Sequence, residues 1–192
     1  EAQADRREFD EVVERIRKAR HIYILGVRSS SFVAGYLNFY MHLLFENVTL
    51  VQAVAPGEVF EQMFSIGEGD VLIAFSFPRY SASTTKGARY CRSAGATVIG
   101  ITDSKLSPLG SSSDHVLVAK SDMVSLVDSI VAPLSVINAL IVALTAGQSY
   151  KLDAQDKRQK VVDEFIVIDG DKTKEEMKAA IEEGYAAGKR II

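Results

Sequence analysis

Two short stretches of the 192-residue chain gather the residue types that hold an anion. The first is Gly26-Val27-Arg28-Ser29-Ser30-Ser31 and the second is Ser76-Phe77-Pro78-Arg79-Tyr80-Ser81. Each leaves a short apolar run and enters a stretch of helical character, bringing hydroxyl donors and a guanidinium to a helix start. Unpaired backbone N–H groups and the positive end of the helix dipole favour negative charge there. Gly26 permits the turn in the first stretch and Pro78 restricts it in the second. Either stretch alone reads equally well as a serine helix cap beside a solvated arginine. Two in matching positions suit one phosphate monoester.

The elements that must position these loops follow from hydrophobic periodicity. Phe9, Val12, Val13 and Ile16 recur at helical spacing and end in the basic cluster Arg15, Arg17, Lys18 and Arg20, which suits a helix C-terminus. Residues 21–27 form a β-rich apolar run, and the serines after Gly26 can cap the helix that follows. Further strands are expected at 48–53, 71–75, 97–102 and 115–119, with helices at 32–45, 58–66 and 83–94 between most of them. This alternation implies right-handed crossovers and a parallel sheet covered on both faces. In such a sheet, ligands bind at the carboxyl ends of the strands where the strand order reverses, the edge at which both loops lie.

The apolar stretch 130–146 is interrupted by Pro133, Ser135 and Asn138 and is short for a bilayer, so a buried helix is expected, packed on the sheet and on a second subunit. Residues 165–168 read as a short strand and 174–187 as a surface helix in a C-terminal extension, 151–192, to which no function is assigned.

Composition excludes several classes. A formal charge of −3 argues against a duplex-binding surface, which needs clustered Lys and Arg. The single cysteine, Cys91, cannot form an internal disulfide and reads as a small buried residue in a reducing compartment. No Cys/His cluster has zinc spacing, and neither a full P-loop nor a dinucleotide fingerprint is present, so no metal or cofactor is implied. The chain opens without Met and without a signal peptide, and reads as a piece cut from a longer protein. Glu58 and Glu61 follow the second strand and are candidate bases, although acids in a first helical turn ordinarily interact with its dipole. Asp103 is either a ligand-orienting group or a turn cap, and His21, His42 and His115 read as structural.

With these residues in view, the chain resembles the SIS (sugar isomerase) domains of RpiR-type transcriptional regulators. The segment from Tyr23 to Ser30, followed by Val33-Ala34, is similar to the family's first phosphate loop, with Ser30 at the ligand serine and Arg28 where Gly is frequent. The stretch Ser76 to Ser81 is similar to a regulator-type second loop, with Ser76 and Ser81 at hydroxyl positions and Pro78 in place of a serine. Similarity continues through Ile101-Thr102-Asp103-Ser104, Ser107-Pro108-Leu109, 113–117 and Asp128-Ser129.

The resemblance spans roughly residues 8 to 147. It implies an α/β fold: a three-layer α-β-α sandwich with a five-stranded parallel sheet, flavodoxin-like and doubly wound, within an SIS domain at 1–150. It also implies a sugar-phosphate ligand held by Arg28, Ser29, Ser30, Ser76, Arg79 and Ser81, and a homodimer or higher homo-oligomer. In RpiR-like proteins a helix-turn-helix domain precedes this one, so DNA is expected as a partner only through such a domain, which this chain lacks.

The expected function is therefore a cytoplasmic sugar-phosphate-sensing domain of a regulator of carbohydrate metabolism, not an enzyme. The competing expectation is a ketose–aldose sugar-phosphate isomerase with Glu58 or Glu61 as base, because one fold hosts both roles. A dimerising scaffold that has lost its ligand is a third.

Overall fold

A computed structural model of the chain describes residues 2–52, 58–121, 123–124 and 127–146. The boundary at 150/151, the strand expected at 165–168 and the helix expected at 174–187 lie outside the described residues.

The chain begins with α1 (Ala2–Arg17) and then alternates: β1 (Ile22–Gly26), α2 (Ser30–Leu44), β2 (Val48–Val51), α3 (Glu58–Gln62), β3 (Val71–Phe75), α4 (Ala82–Ser93) and β4 (Thr97–Thr102). A 3-10 turn (Gly110–Ser112) leads into β5 (His115–Val118), and a two-stranded antiparallel hairpin of β6 (Met123–Val124) and β7 (Val127–Asp128) precedes α5 (Val131–Thr145). The five main strands form a fully parallel sheet in the order β2-β1-β3-β4-β5, as the α/β expectation requires. The hairpin was not anticipated, and the helix expected at 58–66 is shorter than its pattern. After Gln62 the backbone tightens into i→i+3 bonds, Met63 N–H to the Phe60 carbonyl and Phe64 N–H to the Glu61 carbonyl.

Alternation along the strands builds the two cores. Ile22 and Ile24 of β1 and Val71, Ile73 and Phe75 of β3 face one way, against Val12 and Ile16 of α1, Leu37 and Met41 of α2, and Ile137 and Leu140 of α5. Tyr23, Leu25, Leu72 and Ala74 face the other way, against Val59 of α3, Met63 just after it, and Ala88 and Cys91 of α4. Both sheet faces are thus covered, and a fully buried side chain such as Phe75 contributes about 2–3 kcal/mol through water exclusion. Cys91 lies inside, with burial pushing its thiol up to about 12.

Burial of α5 is one-sided. Pro133, Ile137, Leu140 and Leu144 face the core, while Val131 and Val142 are exposed. Among the described residues no helix is long and apolar enough to cross a membrane.

The strand order fixes where a ligand can sit. The chain runs from β1 outward to β2, then crosses back to β3 on the other side of β1, so direction reverses between β1 and β3. Gly26 and Phe75, the last residues of those two strands, are register partners. The two serine-rich loops therefore leave the sheet side by side.

Candidate functional site

Between these loops lies a cleft of about 180 Å³. Its lining contains all six residues singled out from the sequence: Arg28, Ser29, Ser30, Ser76, Arg79 and Ser81, joined by Val27, Phe75, Phe77 and Pro78. Among the described residues no carboxylate or imidazole lines it.

The first loop is a tight passage from β1 to α2 that depends on Gly26. A Cβ there would run into the Ser30 carbonyl oxygen and come within 2.8 Å of Ala34 Cβ, so only glycine lets α2 start this close to the strand. The expected serine cap is corrected by the geometry. Ser29 stands at the N-cap in helical conformation and its side chain makes no cap bond, while the Ser31 hydroxyl turns back to donate to the Arg28 carbonyl at 2.6 Å. In the first turn of α2 the Ser31 N–H donates to the Arg28 carbonyl at 3.0 Å and the Phe32 N–H to the Ser29 carbonyl at 3.4 Å, so the turn closes on its own backbone, and the positive end of the helix dipole is what favours an anion there. Ser30 is 8% exposed and lines the cleft.

The second loop is built differently. Ser81 caps α4, its hydroxyl accepting from the Thr84 N–H at 3.3 Å. The Ser76 hydroxyl accepts from the Ser81 N–H at 3.3 Å, which closes the loop on itself. Each hydroxyl accepts a backbone proton and keeps its own O–H to donate, the polarity that a phosphate oxygen requires. Ser76 is anchored in turn by its N–H, which donates to the Ile101 carbonyl of β4.

Arg28 and Arg79 share a backbone feature that sequence reasoning missed. Both have positive φ, +59° and +68°, the left-handed region that costs a side-chain-bearing residue roughly 1–2 kcal/mol. No other non-glycine described residue does so. Strain of this kind collects where function needs a particular side-chain placement. Here it sits at one guanidinium in each loop.

A second missed feature ties the loops to β4. The Tyr80 hydroxyl donates to both Asp103 carboxylate oxygens at 3.0 Å, and Asp103 also accepts from the Thr102 hydroxyl at 3.1 Å. Burial and the facing carboxylate push the Tyr80 phenol above its ordinary value, so it stays a donor. Adjacency of β3 and β4 was the only signal that could have paired these residues. Asp103 thus holds the second loop.

The remaining candidates lie elsewhere. His21, at the amino-terminal end of the sheet, bonds the Thr49 hydroxyl; His115, at the start of β5, faces Glu8; and His42 is exposed in the last turn of α2. Glu58 and Glu61 belong to the first turn of α3 and do not line the cleft. Among the described residues no group of three or more His, Cys, Asp or Glu is placed to hold a metal ion.

Comparison with known proteins bears on the family and the fold. An HTH-type transcriptional regulator of Haemophilus influenzae is 31% identical over 81% of this chain and 54% of its own length, so the chain spans about half of that curated relative. Two solved structures share the fold: the sugar isomerase domain of an RpiR transcription factor from Sphaerobacter thermophilus (24% identical, TM-score 0.73, 81% of this chain and 85% of that one) and the Vibrio vulnificus NanR protein complexed with ManNAc-6P (23%, 0.73, 82% and 61%). A Methanococcus jannaschii protein with an inferred 3-hexulose-6-phosphate isomerase function also shares it, at 18% identity and TM-score 0.51 over 81% of this chain and 78% of its own. The SIS domain model matches residues 15–143, the span that holds both loops and the whole parallel sheet, and the chain belongs to the SIS domain family.

Proposed function

We propose that this domain binds a phosphorylated sugar and serves as the effector-sensing part of a cytoplasmic transcription regulator of carbohydrate metabolism. The observation that carries the reading is the lining of the β1/β3 cleft: four serines, two arginines and the starts of two helices, with no carboxylate or imidazole among the described residues. Such a lining suits a dianionic phosphate held by charge-assisted hydrogen bonds. Moving a proton next to a carbonyl requires a base within hydrogen-bond reach, and Glu58 and Glu61 stand outside that lining. Kinship with an HTH-type regulator, and the ManNAc-6P bound to the similarly folded NanR, favour sensing over turnover. Signalling then requires that the ligand prefer one arrangement of a homodimer or higher homo-oligomer that carries attached DNA-binding domains.

The test is thermal unfolding against ManNAc-6P, fructose 6-phosphate, ribose 5-phosphate and arabinose 5-phosphate, each beside its unphosphorylated sugar. A ligand at a hundred times its Kd adds about 2.7 kcal/mol of stability. At least one phosphate is expected to stabilise while its parent sugar does not, and Ser30→Ala and Ser81→Ala are expected to lose the effect. No stabilisation by any phosphate overturns the reading. Deuterium uptake from solvent into a bound sugar phosphate would instead support the isomerase with Glu58 or Glu61 as base.

A further inference from the structure

A second cleft, of about 300 Å³, opens on the other side of β1, at the carboxyl ends of β1 and β2. Gly26, Val27, Arg28, Ser31, Leu50, Val51 and Gln52 line it, so it shares Val27 and Arg28 with the first cleft. We propose that the ligand straddles the end of β1, with its phosphate in the β1/β3 cleft and its sugar body in the β1/β2 cleft, where Gln52 reads the sugar hydroxyls. This proposal rests on the sugar-phosphate reading and assigns the other half of the same ligand.

Size is the first argument. Ligand sites run from about 300 to 1,000 Å³, and the first cleft alone falls short of that range. Joined across the Val27-Arg28 ridge, the two clefts fall within it.

Chemistry is the second. The first cleft concentrates hydroxyls, cations and helix starts, which suit an anion. In the second, Leu50 and Val51 supply apolar surface for sugar C–H groups, and Ser31 and Gln52 supply neutral polar groups for hydroxyls. The Ser31 hydroxyl donates its proton to the Arg28 carbonyl, so its oxygen faces a ligand as an acceptor.

Gln52 is held in place from below. Its N–H donates to Gln62 Oε1 at 2.9 Å and its carbonyl accepts from Gln62 Nε2 at 2.7 Å. Gln52 lines the cleft, and with its backbone N–H and carbonyl both bonded to Gln62, its side-chain amide, which carries both donors and an acceptor, is the group left to read a hydroxyl. Arg28, raised on its left-handed backbone, stands on the ridge between the two halves and reaches a phosphate on one side and a sugar oxygen on the other.

Titration of the full chain with inorganic phosphate and with the four sugar phosphates tests the assignment in wild type, Gln52→Ala and Ser30→Ala. The measured quantity is the ratio of sugar-phosphate to inorganic-phosphate affinity. In Gln52→Ala that ratio is expected to fall about tenfold, the size of one lost neutral hydrogen bond. In Ser30→Ala both affinities fall together. An unchanged ratio in Gln52→Ala overturns the second subsite and leaves the phosphate site standing. Equal wild-type affinity for inorganic phosphate and every sugar phosphate overturns it as well. Unchanged sugar-phosphate binding in Ser30→Ala refutes the underlying reading instead. Exposed Gln52 contributes little to the core, and coincident ligand-free unfolding of Gln52→Ala and wild type verifies that the fold is intact.

Discussion

At the scale of single residues, Arg28 shows how the site trades stability for placement. Its φ of +59° costs roughly 1–2 kcal/mol, which glycine would avoid. Glycine, however, loses more chain entropy on folding, about 0.5–1 kcal/mol. Arg28→Gly is therefore expected to raise ligand-free stability by about 0.5 kcal/mol in urea unfolding and to weaken phosphate binding. A variant that loses stability would mean that the arginine side chain packs favourably enough to offset its own backbone strain. That the six candidate residues share one cleft was legible in the sequence because anion chemistry draws on few residue types, hydroxyls, guanidiniums and free amides, and both loops carry them at matching positions. The left-handed conformation of Arg28 and Arg79 was not, since it results from loop closure between strands whose register only the folded sheet supplies. The resemblance to SIS loops that often place Gly at the Arg28 position was the one available hint.

At the scale of elements, the two loops solve one problem in two ways. The α4 start is capped by Ser81, whereas the α2 start lacks a serine side-chain cap. Removing an N-cap hydroxyl costs typically about 1 kcal/mol. Ser81→Ala is thus expected to lower ligand-free stability by about that amount, and Ser30→Ala by less than about 0.5 kcal/mol, as measured by urea unfolding. Equal losses would contradict the asymmetry of the caps. Strand and helix positions were readable to within one or two residues wherever periodicity was strong, as in β3 and β4, whose predicted bounds coincide with the observed ones. Prediction failed where side chains redirect the backbone. In α3 the Gln62 amide turns to hold Gln52, and the helical pattern up to Ile66 continues as tighter turns. The β6/β7 hairpin has only two residues per strand, too few to set a period.

At the scale of the molecule, the parallel α/β class followed from alternating elements, and with it the edge of the sheet at which the two serine-rich loops emerge. Less legible was what secures the opposite edge. There Asp70, 1% exposed, accepts from Arg20 Nε at 2.8 Å and Nη2 at 2.7 Å and from the Gly67 N–H at 2.9 Å, pinning the connection between α1 and β1 to the turn before β3. Composition cannot pair residues this far apart. Burial pushes the Asp70 carboxyl up, but the Arg20 guanidinium and the Gly67 N–H together outweigh it, and the net direction is down. A carboxyl depressed in the folded state contributes stability that is complete above its unfolded value, about 3.9, and is lost as pH falls through the lower folded value.

Arg20→Ala removes the cation and leaves a buried carboxylate with one backbone donor, so Asp70 should then titrate higher in the folded state than in the unfolded one. Removing one partner of a pair leaves the other's buried charge uncompensated, and because the Arg20 side chain is 64% exposed and screened by water, a loss smaller than that of a fully buried pair is expected at pH 7. The gap between wild type and Arg20→Ala should stay level from pH 8 to 7 and close progressively as pH falls to about 3, where Asp70 of the variant is already neutral and that of wild type is becoming so. Urea unfolding across this range measures it. A gap of constant size down to pH 3 would assign the role of Arg20 to packing of its alkyl stem, and only a closing gap assigns it to charge.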